Sequence, residues 1–409
     1  MTRIAVTCLP ILQGPAAWNA ILGPTSGRAP LEGAQVADAV IVGAGFAGLS
    51  SARRLRQIEP HASVVVLEAG RIAEGSAGRN SGFMIDLPHE LTSDDYAGAG
   101  DDRSMIALNR KSIGFASQAV EDYQIDSSFF ERAGKVNGAA SETARAYNAS
   151  YSRHLESLGE PSEALDAQSM LELTGSRHYL SGLYTPGTVM LQPAGYIRGL
   201  AAGLSRDGVT ICENSTVTSL TRAGGSWTVQ TAKGKVSTGR VILTVNGHLE
   251  SFGFEAGRLI QLFLYAVMTP ELGPDVLARV GGQSRWGITP SDPMGTTMRK
   301  IDTGQGGDRI ITRTCATLAP GRRIGPSQVA RAARVMQKKF DTRFPQLAGL
   351  KMEYAWAGHL CLTRNGVSAM RKLDDGLYAG CVQNGLGTTR GTLTGIGAAE
   401  MACGVESEI

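Results

Sequence analysis

The chain has little that would staple, anchor or metallate it. Its six cysteines, at 8, 212, 315, 361, 381 and 403, form no CxxC pair, which excludes a redox dithiol and argues against a disulfide framework. The six histidines contain no HxxxH, so the spacing typical of a metal site is missing as well. No run of about 18 apolar residues occurs, and no membrane-spanning helix is expected. Charge is balanced: a formal net charge of +3 over 409 residues gives no reason to expect nucleic acid or an acidic membrane as partner. The N-terminus, MTRIAVTCLPIL, has one arginine and a short apolar stretch that Pro10 interrupts. No small-x-small cleavage site follows, so it does not read as a secretory signal, and a cytoplasmic protein is expected. Residues 1–36 read as an arm on the domain surface.

Glycine is abundant, at 52 residues, and falls in short runs between apolar strands, which suggests tight turns and close backbone approach to a ligand. In ADAVIVGAGFAGLSSARRL a short buried-type strand, Ala39 to Val42, turns into a helical pattern, with Gly43, Gly45 and Gly48 forming GxGxxG at the junction. The first glycine permits the turn, the second admits a pyrophosphate, and the third lets helix and strand pack closely. The helix N-terminus then offers free N–H groups to phosphate. Alone, the motif also fits other phosphate ligands. The strand SVVVLE places Glu68 twenty residues beyond Gly48, where a carboxylate accepts from ribose hydroxyls. Residues 38–68 are therefore expected to bind the ADP half of a dinucleotide, with Phe46 and Ala47 at the helix start. The stretch AGRIAEGSAGRNSGFMIDLP follows. It is rich in small residues and better suited to wrap an extended FAD than to enter a crossover helix. Ala69, Arg71, Ser76, Arg79, Asn80 and Ser81 are its candidate contacts.

With GxGxxG, a strand-end Glu and the loop GSAGRNSG, the chain resembles the D-amino-acid-oxidase-like (DAO) family of FAD-dependent oxidoreductases from about Ala37 on. The resemblance is to bacterial amine oxidases of the gamma-glutamylputrescine oxidoreductase type. It implies an α/β fold: a Rossmann-like FAD-binding domain with a second, mainly antiparallel β-sheet substrate domain. The expected division is an arm (1–36), FAD-binding parts at 37–100, 191–255 and 346–409, a mixed helical and substrate segment (101–190), and a substrate domain (256–345). Helices are expected over 104–122, 141–158, Ala194 to Arg206 and Ser327 to Arg343, from apolar periodicity.

The resemblance further implies that Val217 holds the adenine and that Asn246 and Gly247 return the chain to the cofactor. Gly358 and the loop Gly385, Leu386, Gly387 and Thr388 would meet the flavin. The second glycine loop, in CVQNGLGTTRG, would then aim a helix N-terminus at the flavin N1 and C2 carbonyl, where reduced flavin carries negative charge. Taken alone, this loop also reads as an ordinary helix start. Tyr265, Arg313, Trp356, His359 and Asn384 lie on strands the family turns toward the flavin, and each also reads as a structural core group. Cys361 stands one position away from where some relatives tether flavin, and a one-residue slip reverses the face of a strand, so noncovalent FAD is expected. Thr389 stands where sarcosine-type relatives place a lysine, which argues against a simple sarcosine-like substrate.

No second GxGxxG follows a strand, so a nicotinamide domain is not expected and the substrate itself must be the reductant. The function implied is oxidation of the C–N bond of an amine or amino acid by hydride transfer to flavin N5, with oxygen or another acceptor taking the electrons. The imine product then hydrolyses. The alternatives are a hydroxy-acid oxidoreductase using the same cofactor and a flavin-binding subunit of a larger dehydrogenase.

Overall fold

The computed structural model describes residues 2–12, 14–88, 101–292, 295–407 and 409. Two large sheets organise them. The first has a parallel centre, in the spatial order Thr210–Cys212, Val64–Leu67, Gly33–Val42, Gly234–Leu243 and Leu377–Cys381. Such strands are buried on both faces and read as continuous apolar runs; VVVL at 64–67 is wholly buried. An antiparallel extension, Ser226–Thr231 and Val217–Ala223, continues from the other half of Gly234–Leu243. The helices Phe46–Ile58 and Thr389–Cys403 pack against each other on the parallel centre through small residues. A Cβ at Gly395 would meet the Ala47 carbonyl oxygen at 2.2 Å, and Ser51 Oγ donates to Gly395 O at 2.8 Å. The two glycine-rich helix starts, far apart in sequence, are thereby brought side by side.

The second sheet has eight strands, in the order Tyr354–Thr363, Leu259–Met268, Arg309–Leu318, Thr297–Ile301, Trp286–Pro290, Lys135–Ala139, Ser181–Thr185 and Glu163–Leu165. All pairings are antiparallel except Trp286–Pro290 with Lys135–Ala139. One face is covered by the helix Pro326–Arg343, whose Val329, Ala332 and Met336 pack with Phe263, Tyr265 and Val267. The other face contributes Ala266, Met268, Ile301 and Ile311 to a core shared with the first sheet's helices. The expected α/β architecture with a second, mainly antiparallel sheet is present.

Expected and observed helices agree closely: Asp102–Asp122, Glu142–Leu158, Pro193–Arg206 and Pro326–Arg343. Local capping chemistry sets several of these ends. Asp101 accepts from Ser104 N and Ser141 from Ala144 N, each satisfying an amide that the first turn leaves free. Proline opens the last two helices, where its missing N–H is harmless.

The segment 101–190 supplies three strands to the second sheet, alongside its helices. Elsewhere the division of the chain differs from expectation in two places. Within 346–409, Tyr354–Thr363 pairs along its whole length with Leu259–Met268, while only Ala369–Asp374, Leu377–Cys381 and the last helix join the first sheet. Residues 1–36 are not merely laid on the surface. Thr2–Ala5 adds an edge strand to Val217–Ala223, Trp18 is fully buried, and Gly33 already begins a central strand. Of the segment 37–100, residues 89–100 lie outside the described residues.

Candidate cofactor and substrate site

One long cavity runs between the two sheets. It is lined by Gly43, Gly45, Phe46 and Ala47 of the first helix start and, beside them, by Gly385, Gly387 and Gly391 of the second. Gly43 sits at φ +103, open to glycine without cost. Gly48 is outside the lining; a Cβ there would approach the Gly43 carbonyl oxygen to 1.8 Å, so its role is close packing of strand and helix. Glu68 lines the cavity, accepting from Ala44 N at 2.8 Å and Gly70 N at 3.1 Å. Burial raises its pKa, while these amides oppose the shift. Ala69 and Val217 line the same end. Arg71 does not: its guanidinium donates to Thr25 O and Oγ1 on the surface, away from the cavity.

Ser76, Arg79, Asn80 and Ser81 line the middle, on a loop braced by buried donors. Trp356 Nε1 donates to Arg79 O at 3.1 Å and Trp18 Nε1 to Asn80 O at 2.8 Å. Arg299, from the second sheet, donates to Gly82 O at 2.9 Å, to Leu191 O and to Gln305 Oε1 at 2.8 Å. Arg79 itself donates to Glu74 O at 2.6 Å, Ala357 O at 3.2 Å and Gly14 O at 2.9 Å, and desolvation lowers its pKa to about 10. Trp356, expected to face the substrate, is instead a buried brace, 1 % exposed.

Register decides the remaining candidates. Arg313 pairs with Ala266 and Thr297, on the face toward the first sheet, and lines the cavity. Desolvation lowers its pKa, and it has no hydrogen-bond or ion-pair partner among the described residues. Tyr265 is one residue away on its strand and points to the opposite face. Its ring packs under the helix Pro326–Arg343 and its hydroxyl donates to Thr317 Oγ1 at 2.7 Å, so only its strand borders the cavity. The extra residue of a bulge here is Cys315 on the strand Arg309–Leu318, at φ +66 between the partners of Leu264 and Tyr265.

His359 pairs with Phe263, stacking on its ring at 5.1 Å and meeting His248 edge-on at 5.4 Å. Its Nε2 is 2.8 Å from Gln261 Oε1. Burial lowers the His359 pKa to about 3 and that of His248 to about 4, so both are neutral imidazoles at pH 7. Asn384 lines the cavity, but its side chain holds the turn after Thr363, accepting from Thr363 N at 2.7 Å and donating to Gly366 O at 2.8 Å.

Asn246 and Gly358 line the cavity. Gly247 lies behind it, where a Cβ would crowd Gln261, Cys361 and His359. Leu386 packs on the cluster of Phe83, Ile85 and Met190. Thr388 spends its hydroxyl on Phe83 O at 2.6 Å, not on capping. The amides of Gly387, Thr388 and Thr389 find no acceptor among the described residues, and Arg390 N, donating to Leu386 O at 2.9 Å, is the first that does. The approach to this helix is strained: Val382, fully buried, has φ +58, an outlier for a β-branched residue. Cys361 borders the cavity as a protonated thiol, its pKa pushed by burial to about 12.

Several lining residues were not singled out from sequence: Thr244, His248, Phe252, Arg322 and the stretch around Leu9. Arg322 is neutralised by Glu250 at 2.8 Å. Thr244 carries a local signal, since it follows the buried run VIL and its hydroxyl donates to Val42 O at 2.8 Å.

The cavity fits a dinucleotide extended through it. A helix N-terminus and a ribose acceptor meet a glycine turn, and the second helix start, packed beside the first, adds three unpaired amides.

Residues 38–401 match the family model for FAD dependent oxidoreductases, DAO. Among curated proteins the chain is 26% identical to gamma-glutamylputrescine oxidoreductase of Escherichia coli over 372 residues, covering 90% of this chain and 84% of that protein. It is 24% identical over 389 residues to a Haemophilus influenzae protein described as "Probable oxidoreductase OrdL", covering 93% and 86%. Among solved structures, glycine oxidase from Geobacillus kaustophilus superposes with a TM-score of 0.73 at 17% identity, covering 92% of this chain and 96% of that one. Taken with the cavity that joins its two glycine-rich helix starts, this places the chain in the DAO family of FAD-dependent oxidoreductases.

Proposed function

We propose that the enzyme oxidises the C–N bond of an amino acid or a carboxylate-bearing amine. The observation that carries this reading is Arg313, a desolvated guanidinium lining the cavity without an anionic partner among the described residues. A desolvated cation is costly unless paired, and a substrate carboxylate supplies the partner in a bidentate geometry. FAD, when bound, accepts the hydride. The chain's own groups bind and orient: Arg313 fixes the acid end, and the loop Arg79 to Gly82 is held rigid by Trp356, Trp18 and Arg299.

Glu68 is the only carboxylate lining the cavity among the described residues, and it belongs to the ADP end. The histidines are neutral. Placement and desolvation of an already neutral amine therefore supply the catalysis, with no charged acid–base pair. Electrons pass to oxygen or another acceptor. No helix among the described residues is long and apolar enough to cross a membrane, and six free cysteines support a cytoplasmic location.

The test is Arg313→Met against matched substrates with and without the carboxylate. Losing one partner of a desolvated charge pair costs about 2–5 kcal/mol, so KM for the acid should rise at least about 30-fold. The decarboxylated amine should be indifferent. Equal effects on both would remove Arg313 from the substrate site. A hydroxy acid tested beside the amino acid separates C–N from C–O oxidation.

A further inference from the structure

The first dozen residues precede the family match, which begins at 38, yet Val6, Cys8, Leu9, Pro10, Ile11 and Leu12 all line the cavity. The segment is tied at both ends. On one side Thr2–Ala5 pairs with Val217–Ala223, Val6 N donates to Thr218 O at 2.9 Å and Thr7 N to Ser251 O at 2.9 Å. On the other, Gly14 O accepts from Arg79 Nη2 at 2.9 Å, and a Cβ at Gly14 would press on Ala355 O at 2.5 Å. The buried Trp18 then locks the chain to the Asn80 carbonyl. The two anchor points therefore lie at Thr218 and Ser251, next to the cavity-lining Val217, and at the Arg79 loop. Eight residue steps reach at most about 26–29 Å when extended, so the described residues between the anchors are held close to the cavity that they line.

The chemistry of the crossing is one-sided. Leu9, Ile11 and Leu12 are 41 %, 43 % and 42 % exposed, three large apolar side chains set against a cavity and not a core. The segment 6–12 carries no charge, and Pro10 has no N–H to offer. Such a surface has nothing for a pyrophosphate and suits the face or edge of a planar ring.

We propose that residues 6–12 are part of the FAD site: an apolar strap that closes over a ring system of the cofactor and slows its release. The strap holds FAD without a covalent bond. It works by burying its own apolar side chains against the ligand, so the effect falls on the dissociation rate.

The test uses the full chain with Leu9→Ser, Ile11→Ser and Leu12→Ser combined, which leaves both anchors in place. FAD release is followed by the return of flavin fluorescence on dilution, with the melting temperature of the apoprotein as a folding control. Release should quicken by about tenfold or more, with the apoprotein melting unchanged. A second measurement needs no variant: chymotrypsin should cut after Leu12 in the apoprotein (the Leu9–Pro10 bond is resistant), and saturating FAD should suppress that cut. Release within about twofold of the parent, or cleavage indifferent to FAD, overturns the assignment.

Discussion

Replacing Gly387 by valine tests the helix start that faces the cavity. Gly387 lines the cavity, and a Cβ added there meets no protein atom within 4 Å. Its φ lies outside the left-handed range, so valine brings neither a backbone penalty nor a clash in the apoprotein. The added methyl groups occupy space that the cofactor needs, next to the free amides of residues 387–389. Losing one such donor costs about 2.7–4 kcal/mol in comparable anion sites, and relaxation of the exposed loop could halve this. For a two-electron couple 1.4 kcal/mol corresponds to about 30 mV. The expected result is a flavin reduction potential lower by about 30–85 mV, the lower half of that range applying if the loop relaxes, with slower reduction by substrate. ADP-half binding and apoprotein melting should be preserved. Dye-equilibrated spectrophotometry gives the potential, and a thermal scan of the same sample gives the stability. An unchanged potential in folded, FAD-loaded protein would refute the placement of this helix at the flavin.

Three further outcomes are expected. Glu68→Ala should weaken FAD binding by about 1–3 kcal/mol, measured by titrating apoprotein, with little change in turnover once loaded; unaltered affinity would remove Glu68 from the ribose. Protein precipitated with acid should turn white and leave FAD in the supernatant, because Cys361 is held as a thiol with a pKa of about 12 and makes a poor nucleophile; colour in the pellet would contradict this. The apoprotein should lose stability on acidification. His178, His248 and His359 have folded pKa values of about 4, 4 and 3, below the ordinary value of 6.5, so the unfolded chain binds more protons. Each histidine then removes up to about 1.4 kcal/mol per pH unit between about pH 6.5 and its folded value. His359→Gln should flatten that part of a denaturation series, and an identical slope would show that His359 does not carry it.

The cofactor's ADP end was legible because its signals are local. A glycine turn, a helix start and an acid at the end of the next strand are fixed by short-range geometry. The second glycine loop was legible only as a partner to the first. The faces of the long second-sheet strands were not. Leu259–Met268 and Tyr354–Thr363 carry mostly apolar side chains on both faces, so their sequences offer little alternation to read. Tyr265, in step with Phe263 and Val267, lies under a helix, while Arg313, on the paired strand next to the bulge at Cys315, enters the cavity. Trp356 illustrates the same limit: an indole on the face toward the first sheet, it braces a carbonyl of the cofactor loop. The strap was invisible because its meaning lies in partners more than 200 residues away, at Thr218 and Ser251. Nothing in MTRIAVTCLPIL names them.

The most direct measurement is anaerobic mixing of the FAD-loaded enzyme with a panel of amino acids, their decarboxylated amines and the two reduced nicotinamides, read at the flavin absorbance. The account predicts rapid bleaching by at least one carboxylate-bearing amine, release of the corresponding carbonyl compound and ammonia or amine on work-up, and no bleaching at catalytic speed by NADH or NADPH. Rapid reduction by a nicotinamide, with none of the amines reacting, would contradict it.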